Sequence, residues 1–388
     1  MIYSFSTSRV IFGIGARAGV ATHASHMGRR CLFVTGSRAE RCDWLLEELK
    51  EVMDDVLGVA VGGEPETGFI ASQAETARQA GCDVVVAIGG GSVIDAGKAL
   101  AALVANTGDL FDYLEVVGRG VPLEKAPLPM IAVPTTAGTG AEVTANAVLL
   151  SPAHGVKASL RSPSLVPKLA IVDPELAVSL PPTQTAASGM DALTQLMECF
   201  VSHAANPLTD PLCRDGLTRA ARSLRVAVQD GTSLQARSDM ALASLFSGMA
   251  LANAKLGAVH GFAAPLGGML GAAHGEICAA LLPHVMGANI RTLRHVAPEH
   301  PALARYGEVG RLLTGREDAR AEDGLEFARS LCQDLGIRGL GELGLTEGVM
   351  EEVVEKASRA SSMHGNPIVL DRNELLGILR RAMGGFSL

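Results

Sequence analysis

The strongest constraint on this chain's fold is one strand-to-helix junction. The apolar run Val84-Val85-Val86-Ala87-Ile88 leads directly into Gly89-Gly90-Gly91-Ser92, and from Val93 to about Asn106 the pattern is helical. The same order recurs before it: short strands at 8–13 and 31–35, a charged helix at about 39–54, a strand near 56–61 and a helix at about 70–80. After it, Leu128-Pro129-Met130-Ile131-Ala132-Val133 reads as another buried strand. Alternation of this kind predicts a parallel sheet with helices on both faces. Glycines at a strand-to-helix turn let backbone N–H groups approach an anion, and the helix N-terminus adds partial positive charge. Gly89, Gly90, Gly91 and Ser92 are therefore the predicted pyrophosphate cradle, with a plain tight turn as the alternative.

An earlier stretch, Gly13-Ile14-Gly15-Ala16-Arg17-Ala18, satisfies the loose pattern Gly-x-Gly-x-x-Ala. That pattern requires an acidic residue after the next strand, and the strand at 31–35 is followed by Gly36 instead. Gly13 and Gly15 are read as turn glycines. A carboxylate at Gly36 would repel the 2′-phosphate of NADP; without it, and with Ser37 and Arg38 following, use of both NAD and NADP is expected, with a lean toward NADP, the alternative being that Gly36 simply starts a turn and Arg38 points to solvent. Pro134-Thr135-Thr136-Ala137-Gly138-Thr139-Gly140 offers hydroxyls and close approach to a ribose or phosphate, or serves as a Gly-rich connector.

Near Asp173-Pro174-Glu175 and Leu180-Pro181-Pro182 the strand pattern ends, and nearly everything after it reads as helix. The 388 residues favour two domains, expected as an α/β dinucleotide-binding domain at 1–180 and an all-helical domain at 181–388. Helices are predicted at about 183–203, 209–227, 233–257, 275–295, 300–313, 319–334, 346–358 and 373–383, with Met240–Ala252 apolar all round and so buried. On the first of these, Asp191 and Gln195 lie four apart and share a face, so a carboxylate and an amide oxygen can converge. With His260 and His274 they could cage a divalent metal; each His taken singly could equally be a core residue.

The formal charge of −8, with Lys and Arg scattered, excludes a nucleic-acid face. Seven cysteines, far apart and without a Cys-x-x-Cys pair, indicate neither a disulfide framework nor a thiolate zinc site. The N-terminus lacks a secretory pattern and no uncharged run reaches the roughly 18 residues of a membrane span, so a soluble, cytoplasmic protein is expected.

Gly189-Met190-Asp191-Ala192-Leu193-Thr194-Gln195, Val259-His260-Gly261 and Ala273-His274-Gly275, together with Gly89 to Asp95, Pro134 to Gly140 and Ile171 to Glu175, resemble strings of the iron-containing (group III) alcohol dehydrogenase family. The resemblance covers nearly the whole chain. It implies the dehydroquinate synthase-like fold of that family, with cofactor and metal in a cleft between an α/β and a helical domain. It implies hydride transfer between NAD(P) and a small-molecule alcohol/aldehyde pair, the substrate oxygen polarised by one divalent ion, Fe or Zn, in a homodimer. The implied ligands are Asp191, His260 and His274, with Gln195 as a fourth through its amide oxygen. The implied cofactor contacts are Gly36, Ser37, Gly89, Gly90, Gly91, Ser92, Asp95, Thr135, Thr136, Thr139 and Lys157. There are departures. Gln195 stands where the family has its first metal His, Ala264 where it has a further His that could relay a proton, and Ala141 where Ser is common. No catalytic residue beyond the ligands is assigned, and His284 is read as structural. A metal-independent reductase of the maleylacetate type and a non-catalytic nucleotide-binding protein on the same fold are the alternatives; the presence of Asp191, His260 and His274 together favours the metal enzyme.

Overall fold

The computed structural model describes residues 2–386. The strands are β1 (Arg9–Phe12), β2 (Arg30–Gly36), β3 (Asp55–Val61), β4 (Val84–Gly89), β5 (Met130–Pro134), β6 (Asn146–Ser151), β7 (Val156–Arg161) and β8 (Leu169–Val172). Six of them form one parallel sheet in the order β1-β8-β5-β4-β2-β3, and β6 and β7 form a separate antiparallel hairpin. Between the strands run α1 (Val20–Ser25), α2 (Asp43–Val52), α3 (Thr67–Gln79), α4 (Gly91–Ala105) and the single turn α5 (Leu110–Tyr113).

Successive strand side chains point to opposite faces, and here both faces are covered. Val85, Ala87, Met130 and Ala132 pack with Ile70 and Ala74 of α3 and Leu100 of α4. Val84, Val86, Ile88 and Ile131 pack with Val20 of α1 and Leu45 and Leu49 of α2. Every residue of β4 is consequently buried, which is why it reads as an unbroken apolar run. From β2 the chain moves outward to β3, then returns to β4 on the other side of β2 and continues to β5. The order thus reverses between β2 and β4, whose ends at Gly36 and Gly89 are neighbours, Thr35 pairing with Ile88. Ligands of open parallel sheets bind at such a reversal.

The β6–β7 hairpin is missing from the expectations. Val148 and Leu150 are apolar on its less buried face, so the period-2 alternation that its burial shows is not visible in its composition. It turns through Pro152–His154 and Gly155, which is left-handed at φ 61.

The helical unit begins at Val178 and also takes in the segment through Ser6 and Ala137–Thr139. Ser6 is tied by its N–H to Asn253 Oδ1 (2.7 Å), and Asn253 Nδ2 donates back to Ser6 O (2.9 Å). Its helices are α6 (Pro182–Val201), α7 (Asp210–Gln229), α8 (Leu234–Asn253), α9 (Ala258–Leu270), α10 (His274–Val296), α11 (Pro301–Thr314), α12 (Ala321–Asp334), α13 (Met350–Arg359) and α14 (Arg372–Met383). At the centre is α6, buried without interruption from Gly189 to Val201. The apolar stretch of α8 is largely buried as expected, with Met240, Ala243 and Ala250 in the core.

Within the helical unit one helix was not expected. The gap between the predicted helices at 233–257 and 275–295 holds α9, set at 99° to α8. Gly261, Gly267, Gly268 and Pro265 all lower its helical propensity. Burial of Val259, Phe262, Ala263 and Leu266 overrides that. No single helix among the described residues is long and apolar enough to cross a membrane.

Candidate metal centre

Three helices bring polar groups to one buried point. Asp191, Gln195 and Glu198 lie at i, i+4 and i+7 on α6, His260 is on the first turn of α9, and His274 and Cys278 are the first and fifth residues of α10. One ligand atom from each of Asp191, His260, His274 and Cys278 lies within 4.8 Å of all the others. Asp191 Oδ1 is 3.3 Å from His260 Nε2 and 3.6 Å from His274 Nε2. Cys278 Sγ is 3.8 Å from His260 Nε2 and 3.6 Å from His274 Nε2. Asp191 Oδ1 is buried and has no hydrogen-bond partner. A buried carboxylate oxygen left so is costly, and a cation between these donors would satisfy it.

Glu198 organises the approach of α9. Its Oε1 accepts from Val259 N (2.7 Å), and its Oε2 from His260 N (3.4 Å) and His260 Nδ1 (2.7 Å). A carboxylate at a helix N-terminus satisfies amides that have no intrahelical partner. Held at Nδ1, the imidazole turns Nε2 to the centre, an arrangement typical of ligand histidines. Glycine lets α10 come close enough: a Cβ on Gly275 would lie 2.2 Å from Ala187 O and 3.3 Å from Asp191 Cβ.

The charges are interdependent. Burial works against ionisation of Asp191, but His274 and His260 bring its carboxyl below the ordinary value. Burial likewise raises the Cys278 thiol, and the same two imidazoles pull it below the usual thiol range. His260, despite burial, is raised well above the ordinary imidazole value by Cys278, Asp191 and Glu198. His274 is raised by Cys278, against burial, with help from Asp191. Since ligand imidazoles must be neutral, loading such a centre releases protons.

Gln195 stands beside the cluster with its amide nitrogen toward it. Nε2 donates to Asp191 Oδ2 (3.3 Å), while Oε1, the atom expected to ligate, accepts from Ser247 Oγ (3.0 Å). The fourth member of the cluster is Cys278, which goes unseen when cysteines are tested only against one another. Its signal is His274-x-x-x-Cys278, one face of one helix; that of Glu198 is its place one turn beyond Gln195. Ala264 is exposed, one turn after His260. His284 lies outside the cluster, stacked on Phe386 at 5.7 Å with neither ring nitrogen hydrogen-bonded, and burial pushes it down to about 4.

The residues expected at a cofactor lie in the α/β unit, except Thr139. Gly89 ends β4, where a Cβ would meet Val93 Cβ at 2.6 Å; Gly90 caps α4, and Gly91 and Ser92 are its first residues. Thr135 N donates to Gly89 O (2.9 Å), and Thr136 lies against Gly90. Gly36 closes β2, with Ser37 next. Asp95 is turned into the fold, accepting from Val148 N (3.1 Å) and facing the buried Lys98 Nζ at 3.4 Å. Lys157 pairs with Glu64 (2.8 Å). Thr139 groups with the helical unit. Gly13 and Gly15 have φ of 156 and 79 in the turn after the edge strand β1, the conformation their reading as turn glycines requires.

The family model described as iron-containing alcohol dehydrogenase matches residues 7–174, and that of the Fe-containing alcohol dehydrogenase family, C-terminal, matches residues 185–383. A 1,3-propanediol dehydrogenase of Klebsiella pneumoniae is 37% identical over 365 residues, 92% of each chain. The solved structure of a 1,3-propanediol oxidoreductase superimposes with a TM-score of 0.91 at 32% identity, covering 98% of this chain and 100% of the other. The sulfoacetaldehyde reductase of Bifidobacterium kashiwanohense, solved with NAD+, gives a TM-score of 0.87 at 29% identity over 99% of each chain.

Proposed function

The chain belongs to the iron-containing alcohol dehydrogenase family and is an alcohol dehydrogenase, and from that premise we propose that Asp191, His260 and His274 hold the divalent ion, Fe or Zn, on which its chemistry depends. The observation that carries this reading is Asp191 Oδ1, buried and unpartnered, with the two imidazole Nε2 atoms at 3.3 and 3.6 Å. When bound there, such an ion would supply Lewis-acid polarisation of a substrate oxygen, favouring hydride exchange with a nicotinamide.

The chain's own residues supply the rest. Glu198 sets the tautomer and direction of His260, and Gln195 holds Asp191 Oδ2 so that Oδ1 faces the imidazoles. The α4 N-terminus, with Gly89, Gly90, Gly91 and Ser92 at the reversal of strand order, receives the pyrophosphate of NAD or NADP. Gly36 and Ser37 stand at the ribose, and the absence of a carboxylate there supports use of NADP. With Ala264 in place of a titratable side chain, one turn after His260, no side chain at that position can relay the alcohol proton. The substrate is a small alcohol or aldehyde, the class named for the relatives. A metal-independent reaction of the maleylacetate type is disfavoured, since it gives no role to the convergence of Asp191, His260 and His274.

The test is metal analysis of protein purified without chelator, alongside NADH and NADPH oxidation with a panel of aldehydes. One divalent ion per chain is expected, with metal and activity lost together in His260→Ala. Full activity in metal-free protein would end the reading.

A further inference from the structure

We infer that Cys278 is the fourth protein ligand, so that the ion sits in an Asp191–His260–His274–Cys278 set and zinc is held in preference to ferrous iron. This rests on the metal reading above and goes beyond it, because the thiol does not follow from the other three residues and strengthens the preference for zinc that they already carry.

The separations carry it. With zinc bonds of about 2.0–2.1 Å to N or O and about 2.3 Å to S, tetrahedral corners place N and O about 3.3 Å apart and N and S about 3.6 Å apart. The centre has 3.3 and 3.6 Å for the carboxylate oxygen to the two imidazoles, and 3.8 and 3.6 Å for the sulfur to the same nitrogens. These four of the six separations match the edges of such a tetrahedron, and the other two are no longer than 4.8 Å. Cys278 reaches that point from α10 at i+4 from His274, so the helix that delivers one ligand delivers the other. It supplies a donor where Gln195 turns its amide nitrogen, bonded to Asp191 Oδ2, toward the cluster.

A thiolate changes which ion suits the site. Soft sulfur favours zinc, and a mixed N, O, S tetrahedron is a zinc geometry. Zinc, which can expand to five-coordinate, would still accept a substrate oxygen in such a set; His274 is its most exposed member, with a side chain 36% exposed.

The experiment is cobalt(II) titration of chelator-stripped, reduced protein, followed in the near ultraviolet and visible. One equivalent should develop a thiolate-to-cobalt charge-transfer band, absent in Cys278→Ser. The zinc affinity of that variant should fall by more than the ~10–100-fold typical of losing an outer-shell partner. In anaerobic competition with equimolar ferrous iron, the wild type should retain zinc. Cobalt bound without the charge-transfer band, and equal zinc affinity in Cys278→Ser, would overturn the ligand assignment while leaving the three-residue metal site standing. Iron retained over zinc would overturn the preference. No binding of either ion by the wild type would overturn this inference and the metal reading together. The wild-type band requires no variant, so a misfolded Cys278→Ser leaves the test intact.

Discussion

Glu198 shows how much one side chain can do when two of its functions coincide. It closes the amide end of α9 and orients His260 through Nδ1, so the helix and the ligand it carries depend on the same carboxylate. Glu198→Gln keeps the size but removes the charge. It should weaken metal binding about 10–100-fold and cost about 1 kcal/mol at the helix end. Competition against a chromophoric chelator reads the first and urea denaturation the second, and an unchanged metal affinity would show that His260 is oriented by packing alone. Asp191, His260 and His274 are legible as residues because a carboxylate and imidazoles in apolar surroundings stand out. Glu198 and Cys278 are not, since an acidic residue or a thiol on a helix has no meaning until its neighbours from other helices are known.

At the scale of elements, strand ends and helix faces set the testable chemistry. Gly36 ends β2 without a left-handed φ, and a Cβ there meets only Val93 Cγ2 at 3.8 Å, so an aspartate fits the backbone. Gly36→Asp should lower kcat/KM for NADP relative to NAD by about tenfold, or ~1.4 kcal/mol of transition-state binding. An unmoved ratio in steady-state kinetics with both cofactors would place the 2′-phosphate elsewhere. On α10, His284 has its titration displaced from the ordinary 6.5 down to about 4 by burial, aided by Arg329 and Arg381. It stays neutral in the fold while the unfolded chain takes up a proton, so stability should fall as pH drops from about 6.5 to about 4 and be level above that window. The loss amounts to roughly 2–3 kcal/mol. His284→Leu should flatten that part of the difference between stability curves at pH 7 and pH 4.5, and an identical slope would assign it to other groups. The helix α9 illustrates the limit of local pattern: its glycines and proline read as a loop, and only burial against neighbouring helices makes it a helix.

For the molecule as a whole, the four candidate ligands all belong to the unit that begins at Val178, while Gly36 and Gly89 to Ser92 belong to the α/β unit. Stripping the metal should therefore quicken amide hydrogen exchange in α6, α9 and the first turns of α10, and leave β2 and β4 unaffected. Exchange mass spectrometry with and without chelator would read this, and protection lost mainly in the sheet would contradict the assignment of ligands. The parallel sheet, the change to a helical pattern after the prolines near residue 180 and the glycine turn after β4 were determined by the sequence alone. They arise from local periodicity and from residues whose backbone demands are intrinsic. The orientation of Gln195, the burial of Asp95 against Lys98, the existence of α9 and the meeting of Cys278 with Asp191 and His260 were decided only by tertiary structure, because each depends on which helices pack together, and that is settled by the shape of the whole core rather than by any stretch of the chain.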